Sequence, residues 1–251
     1  MKKKALLEAV DINVQFNGVK AANNVNVEIN EGELLAIIGS NGSGKTTFLN
    51  LCTGYIRPTS GEIYLEGKAI TKMPPRLIAR KGIARAFQIP QLFFELSLRE
   101  NLMLAIASRE GIFDLVSPLD CLEYRNEAMS FLELMGLSDM SEKPARVLPE
   151  GLRKLADIAV ALALKPRLLL LDEPTSGVSS LDRFKLMETL MLALKKSSVT
   201  ALFVEHDMDI VSRYADRVLV WESGNVIDND IPEVVMKNPD VIERVIGDPQ
   251  C

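Results

Sequence analysis

An α/β fold built on a parallel sheet is what this sequence predicts, and three features carry the prediction. Short, uniformly apolar strands end in acidic residues at "RLLLLDEP" and "VTALFVEHD". Between them lies a helix-like stretch, "SLDRFKLMETLMLALKK". Earlier, a strand "LLAII" runs into a glycine-rich loop and then into helical spacing, "GSNGSGKTTFLNLCTG". Strands that are apolar along their whole length and alternate with helices belong to a parallel sheet covered on both faces.

Taken in chain order, residues 5–38 alternate apolar and polar side chains, with turn residues at Asn17-Gly18 and Glu31-Gly32. That period of two predicts N-terminal antiparallel strands ahead of the glycine-rich loop. "SGEIYLEGKAI" returns to strand after the first helix. From Gln91 to about Leu164 the composition turns to Leu, Met, Ala and Glu, with almost no β-branched runs. Such composition predicts a helical block inserted into the α/β core. "RVLVWESGNVIDN" predicts a hairpin, and residues 232–246 a short helical tail.

Composition sets outer limits. With 251 residues, 47 % apolar and 25 % charged, the chain is a globular domain of one unit, or a unit carrying an inserted lobe. Lys and Arg total 29 against 34 Asp and Glu, a net charge of −5, which lacks the basic footprint of a nucleic-acid binder. Cys52, Cys121 and Cys251 are far apart and show no CxxC spacing, which fits a reduced compartment without a disulfide framework or zinc site. Glu8 and Asp11 interrupt any apolar N-terminal stretch, so a secretory signal is not expected. No window approaches the roughly 18–20 apolar residues that span a bilayer, so membrane attachment is expected only through a partner.

The chemistry is concentrated at strand ends. Gly39-Ser40-Asn41-Gly42-Ser43-Gly44-Lys45-Thr46 matches the pattern GxxxxGK[ST] after a strand and before a helix. Its glycines let backbone N–H groups face inward around phosphate oxygens, at a helix end that favours negative charge. Lys45 is expected to reach the β- and γ-phosphates of ATP, and the Thr46 hydroxyl to ligate Mg²⁺. Ser40, Asn41, Gly42, Ser43, Gly44, Lys45, Thr46 and Thr47 are therefore the candidate nucleotide-binding residues. About 125 residues later, the leucine strand delivers Asp172 to the metal's outer shell and Glu173 to a place where a carboxylate can polarise an attacking water. His206, the only histidine, ends the next apolar strand. It can sense a γ-phosphate and orient water, or serve a structural role. Ligands sit at the carboxyl ends of parallel strands, so these residues should converge.

With these motifs in place the chain resembles the nucleotide-binding subunits of ABC transporters over nearly its whole length. The resemblance implies a P-loop NTPase core of the ABC type at 1–88 and 161–251, with a helical lobe at 89–160. It also implies ATP hydrolysis with Mg²⁺, transmembrane permease subunits and a second ATPase subunit as partners, and a solute-binding protein met indirectly. Such a protein would sit peripherally on the cytoplasmic face of the inner (plasma) membrane. Gln88 in "RAFQIPQLF" matches a family glutamine that touches Mg²⁺ and the attacking water. Phe16 in "VQFNG" matches an aromatic that stacks on adenine, and would serve equally well as a core strand residue. "RAFQIPQLFFELSLRENLMLA", "VEHDMDIVSRYADRVLVWESGNVI" and "PEVVMKNPDVIERVIG" look most like the branched-chain amino acid (LIV-type) importers. Ile89, Leu92, Phe93, Phe94 and Leu96 form an apolar cluster suited either to a permease helix or to the lobe's own core.

The chain departs from the family at two places. The family's Leu-Ser-Gly-Gly-Gln signature, which binds the γ-phosphate held by the opposite subunit, becomes Leu148-Pro149-Glu150-Gly151-Leu152. A hydroxyl is lost, Pro149 has no N–H, and Glu150 places an anion where one should bind. Two unit charges about 4 Å apart repel by roughly 4 kcal/mol at an effective dielectric near 20. As local structure the stretch reads as a helix start, with Pro149 at the first helical position and an acid in the first turn. Further on, the family's dimer-contacting aspartate falls on Ser179, with Asp182 three residues later. Everything that acts on the chain's own ATP is thus retained, while the surface offered to a neighbour's ATP is eroded. An asymmetric heterodimer is expected rather than a homodimer. The competing expectations are a low-turnover regulatory nucleotide-binding subunit and a non-transport ABC ATPase.

Overall fold

The alternating N-terminal stretch forms β1 (Ala5–Phe16) and β2 (Val19–Asn30). Their turn, Asn17-Gly18, has positive φ at both residues, the geometry that matches the twist of two antiparallel strands. The computed structural model describes residues 4–111 and 121–247; residues 112–120 of the expected helical block and Cys251 lie outside the described residues. β4 (Ser60–Leu65) pairs with the other edge of β1, and β5 (Lys68–Ala69) completes a four-stranded antiparallel sheet in the order β2-β1-β4-β5.

The second sheet is built from β3 (Leu34–Ile38), β6 (Ile83–Ala86), β7 (Leu168–Asp172), β8 (Thr200–Val204), β9 (Arg217–Glu222) and β10 (Asn225–Asp230). Its order is β10-β9-β3-β8-β7-β6. Every pairing is parallel except the β9–β10 hairpin. Both faces of this sheet are buried. Leu35 and Ile37 face the antiparallel sheet, with Leu168, Leu170, Leu202 and Val204 beside them. Ala36, Ile38, Leu169, Leu171 and Phe203 face the other way, into a core shared with the later helices. Side chains alternate across a strand, so burial on both faces demands the unbroken apolar runs seen in the sequence.

Helix α1 (Lys45–Cys52) lies between the two sheets and contributes Phe48, Leu49, Leu51 and Cys52 to the first core. α3 (Leu98–Glu110), α4 (Leu122–Leu134) and α5 (Glu150–Ala163) occupy the expected helical block. Ser97 starts α3 with a capping box, its hydroxyl accepting from Glu100 N while the Glu100 side chain accepts from Ser97 N. α6 (Ser180–Ser197) and α7 (Met208–Tyr214) cover the sheet on the same side, and Pro232–Val235 and Pro239–Val241 form the helical tail. β6 and α2 (Pro75–Arg80) have no counterpart in the sequence reading, because four and six residues are too few to display a period. Pro149 corrects another expectation. It is the extended cap residue before α5 (φ −55°, ψ 154°), and Glu150 takes the first helical position.

Candidate active site

The glycine-rich loop leaves the end of β3 and feeds α1. Gly44 has φ +121°, and a Cβ there would meet the Ala21 carbonyl oxygen at 2.1 Å, so no side chain fits. Lys45 is only 6 % exposed, and its Nζ donates to the carbonyl oxygens of Gly39 (2.7 Å) and Ser40 (2.8 Å). Burial lowers its affinity for the proton, while the carboxylates of Glu173, Asp172 and Glu222 oppose that shift. The Ser43 hydroxyl is buried without a hydrogen-bond partner. Ser40 Oγ donates to Glu222 Oε2 (2.7 Å), tying the loop to the end of β9. Asn41, Gly42 and Thr46 are exposed on the rim, and Thr47 is half-buried. The first N–H groups of a helix have no acceptor within it and form its positive end. An orphan hydroxyl, a helix start and an ammonium held against carbonyl oxygens suit a phosphate chain.

Three strands deliver the second group. Glu173 follows β7, His206 follows β8, and Gln88 follows β6. Gln88 Nε2 donates to Glu173 Oε2 (2.8 Å), and His206 Nε2 lies 3.1 Å from Glu173 Oε1. One carboxylate therefore meets both side chains that the sequence singled out, one through each oxygen. Glu173 has a left-handed backbone (φ 49°), and its N–H donates to the Val204 carbonyl at the end of β8. Non-glycine residues rarely adopt that conformation, and it concentrates at functional sites.

Asp172 is buried and ion-paired to Arg85 (2.5 Å), which also donates to Asn50 Oδ1 (2.6 Å). Among the described residues no cluster of three or more His, Cys, Asp or Glu is arranged to hold a metal. Mg²⁺ is ordinarily held by one or two carboxylates together with substrate phosphates, so a protein cage is not required. The exposed Thr46 hydroxyl, Gln88 and, from farther out, Asp172 are the groups that fit such a phosphate-borne cation.

Phe16 is 49 % exposed at the end of β1, so it is not a core residue. The carboxylate of Glu150 lies over the backbone of Gly177, where an added Cβ would be 2.4 Å from Oε1. Ser179 caps α6, its hydroxyl accepting from Asp182 N (3.2 Å) and donating to Asp182 Oδ2 (2.6 Å). Asp182 is thereby committed to its own helix. Three charged residues that no motif marks also reach this group: Arg85, Lys154 and Asp157. Lys154 Nζ donates to the Glu173 carbonyl oxygen and to Ser176 Oγ, both at 2.8 Å. Asp157 accepts from the N–H groups of Phe87 (3.1 Å) and Gln91 (2.9 Å), and burial pushes its carboxyl up to about 6. The signal in the sequence is charge at 153, 154 and 157 inside a stretch that is apolar at its other positions, "LRKLADIAVALAL".

Residues 22–176 match the ABC transporter family. The probable branched-chain amino acid transport ATP-binding protein LivG of Archaeoglobus fulgidus is 37 % identical over 246 residues, covering 96 % of this chain and 95 % of the relative. The high-affinity branched-chain amino acid transport ATP-binding protein BraF of Pseudomonas aeruginosa is 33 % identical, with 98 % and 99 % covered. The corresponding LivG of Escherichia coli is 34 % identical, with 97 % and 98 % covered. Among solved structures, the ADP conformation of an ATP-binding cassette of an ABC transporter superposes with a TM-score of 0.83 at 30 % identity, covering 96 % of this chain and 98 % of that one. A nucleotide-free cassette gives 0.84 at 31 % identity, with the same coverage.

Proposed function

This chain belongs to the ABC transporter family, and on that premise we propose that it is the ATP-binding and ATP-hydrolysing energy subunit of a membrane importer for branched-chain amino acids or similar small polar solutes. The observation that carries this reading is the single carboxylate of Glu173, held by Gln88 and His206 beyond the phosphate-binding loop. Lys45 exchanges the Gly39 and Ser40 carbonyl oxygens for the β- and γ-phosphates. The Ser43 hydroxyl and the start of α1 hold the remaining phosphate oxygens. Thr46 and Gln88, with Asp172 behind them, would hold a magnesium ion brought with ATP, which would neutralise charge on the phosphates. Glu173 takes a proton from the attacking water, and His206 orients that water through the shared carboxylate. The exposed Phe16 stacks on adenine.

The chain acts in an asymmetric pair with a second ATPase subunit. Pro149, Glu150 and Ser179 are exposed on the surface a partner would meet, and their chemistry does not suit the partner's γ-phosphate. Glu150 turned onto Gly177, and Asp182 held by Ser179, support that reading. No helix among the described residues is long and apolar enough to cross a membrane. Attachment to the cytoplasmic face of the inner (plasma) membrane runs through permease subunits, and a solute-binding protein is met only through them. Ile89, Phe93 and Phe94 are exposed beside Gln88 and suit a permease helix, whereas Leu92 belongs to the core. The degenerate signature favours a second reading, a subunit that binds ATP but turns over little. Both are tested by comparing Glu173→Gln with the matching change in the partner ATPase, in the purified complex. Abolition of hydrolysis by Glu173→Gln is expected. Hydrolysis unaffected by it, and abolished by the partner's change, would leave the low-turnover reading standing.

A further inference from the structure

Lys154 and Asp157 stand about one turn apart on α5, and they are 3 % and 5 % exposed. Among the described residues neither forms an ion pair with an opposite charge. The helix is buried at every position from Lys154 to Ala159, so apolar side chains would suit the packing there. A buried charge is costly unless it is well hydrogen-bonded, so its presence asks what its bonds hold.

Lys154 holds the turn that carries Glu173. Its two acceptors are the carbonyl oxygen of Glu173 itself and the hydroxyl of Ser176. Glu173 adopts an unfavourable left-handed backbone (φ 49°), and a charged donor on its own carbonyl fixes the peptide that follows it. Asp157 holds the other half of the pair. Its two oxygens take the N–H groups of Phe87 and Gln91, one on each side of Gln88. Gln88 and Glu173 in turn meet at 2.8 Å. A single turn of α5 thus grips both loops whose side chains handle the water, and it grips them by backbone.

We propose that Lys154 and Asp157 are positioning residues for ATP hydrolysis, a clamp on α5 that keeps the Glu173 turn and the Gln88 loop in register. The inference rests on the ATPase reading of this site. Lys154 lies one turn after Glu150, at the end of α5 that faces the second subunit in the proposed pair. A tilt of α5 would then move Glu173 and Gln88 together, and hydrolysis would follow the docking of the partner without any change in how tightly ATP is held.

The test uses the purified transporter complex, with this chain carrying Lys154→Met, Lys154→Arg or Asp157→Leu, and Glu173→Gln as the control. Misplacing a catalytic group by about 1 Å costs on the order of 100-fold, so kcat should fall by about 10- to 100-fold in Lys154→Met and Asp157→Leu. KM for ATP and the equilibrium binding of ATP should stay within about two-fold, because the phosphate loop is not touched. Lys154→Arg, which can still donate to both acceptors, should recover most of kcat. A merely structural residue would instead lower kcat, ATP binding and thermal midpoint together, and that result would overturn the proposal. So would kcat within about two-fold of the parent complex in both variants. If Lys154→Met does not assemble, Ser176→Ala decides for Lys154: lower kcat at unchanged KM supports the clamp, and unchanged kcat overturns it. Should the Glu173→Gln control itself leave hydrolysis intact, it is the ATPase reading of the site that fails, a result distinct from any of these.

Discussion

Asp172 and Glu173 are neighbours in the chain, yet the structure gives them opposite environments. Asp172 ends β7 with its side chain buried against Arg85, whereas Glu173 turns through a left-handed backbone and meets Gln88 and His206. The reversal of direction between adjacent residues sends one carboxylate inward and the next toward Gln88 and His206. Arg85 is the partner of the buried one. It pairs with Asp172, donates to Asn50 and lies 4.7 Å from the centre of the Phe87 ring. Removing one partner of a buried ion pair leaves an uncompensated charge, so Arg85→Met should destabilise the chain by about 3–5 kcal/mol. Urea denaturation followed through Trp221, the only tryptophan, measures this. Adding Asp172→Asn should restore most of the loss, and failure to do so would show that the cost lies in packing against Phe87.

At the scale of elements, α5 is the piece whose role was least evident from its periodicity. Its apolar spacing announces a buried helix, and it is one, but it also carries the two charges that reach Glu173 and the Gln88 loop. Where the helices pack on one another, Arg109 at the end of α3 joins them. It donates to both oxygens of Glu127 on α4 (2.9 Å each) and to the Ala163 carbonyl at the end of α5 (2.8 Å). Those bonds from Arg109, helped by Lys165, hold the Glu127 carboxyl down at about 2. A depressed carboxyl contributes stability above its ordinary value of 4.5 and loses it as pH falls toward 2. Glu127→Gln should therefore cost roughly 2 kcal/mol at pH 7 and flatten the acid side of the stability profile, read by denaturation at a series of pH values. Asp157 works in the opposite sense. Raised to about 6 from an ordinary 3.8, it costs stability when ionised, and that cost is relieved as pH falls through about 6 toward 3.8.

For the whole molecule, the question is what the surfaces around the site are for. Ile89 and Phe93 are 72 % and 63 % exposed directly after Gln88, while Leu92 between them is buried. Burying such side chains against a partner helix is worth about 1.5–3 kcal/mol each. Ile89→Asp with Phe93→Asp should abolish co-purification with the permease subunits while leaving the thermal midpoint of this chain within about 2 °C, since neither residue is in the core. Retained co-purification would place the permease elsewhere. The sequence by itself determined the strands of the parallel sheet other than β6, the glycine-rich loop and the meeting of Glu173 with His206. Each of these is local: a period, a turn that only glycine can make, or the rule that ligands meet the carboxyl ends of parallel strands. It also displays that "LPEGL" has no serine and has a proline and a glutamate in its place, because that difference is written in residue types. Only the tertiary structure decided that Phe16 is exposed, that Leu92 is core while its neighbours are not, and that Arg85, Lys154 and Asp157 belong to the site. Those three act across 87, 19 and 70 residues of chain, on Asp172, Glu173 and Phe87. Hydrogen bonds between segments so far apart leave no periodic trace, because chain packing rather than spacing brings their donors and acceptors together.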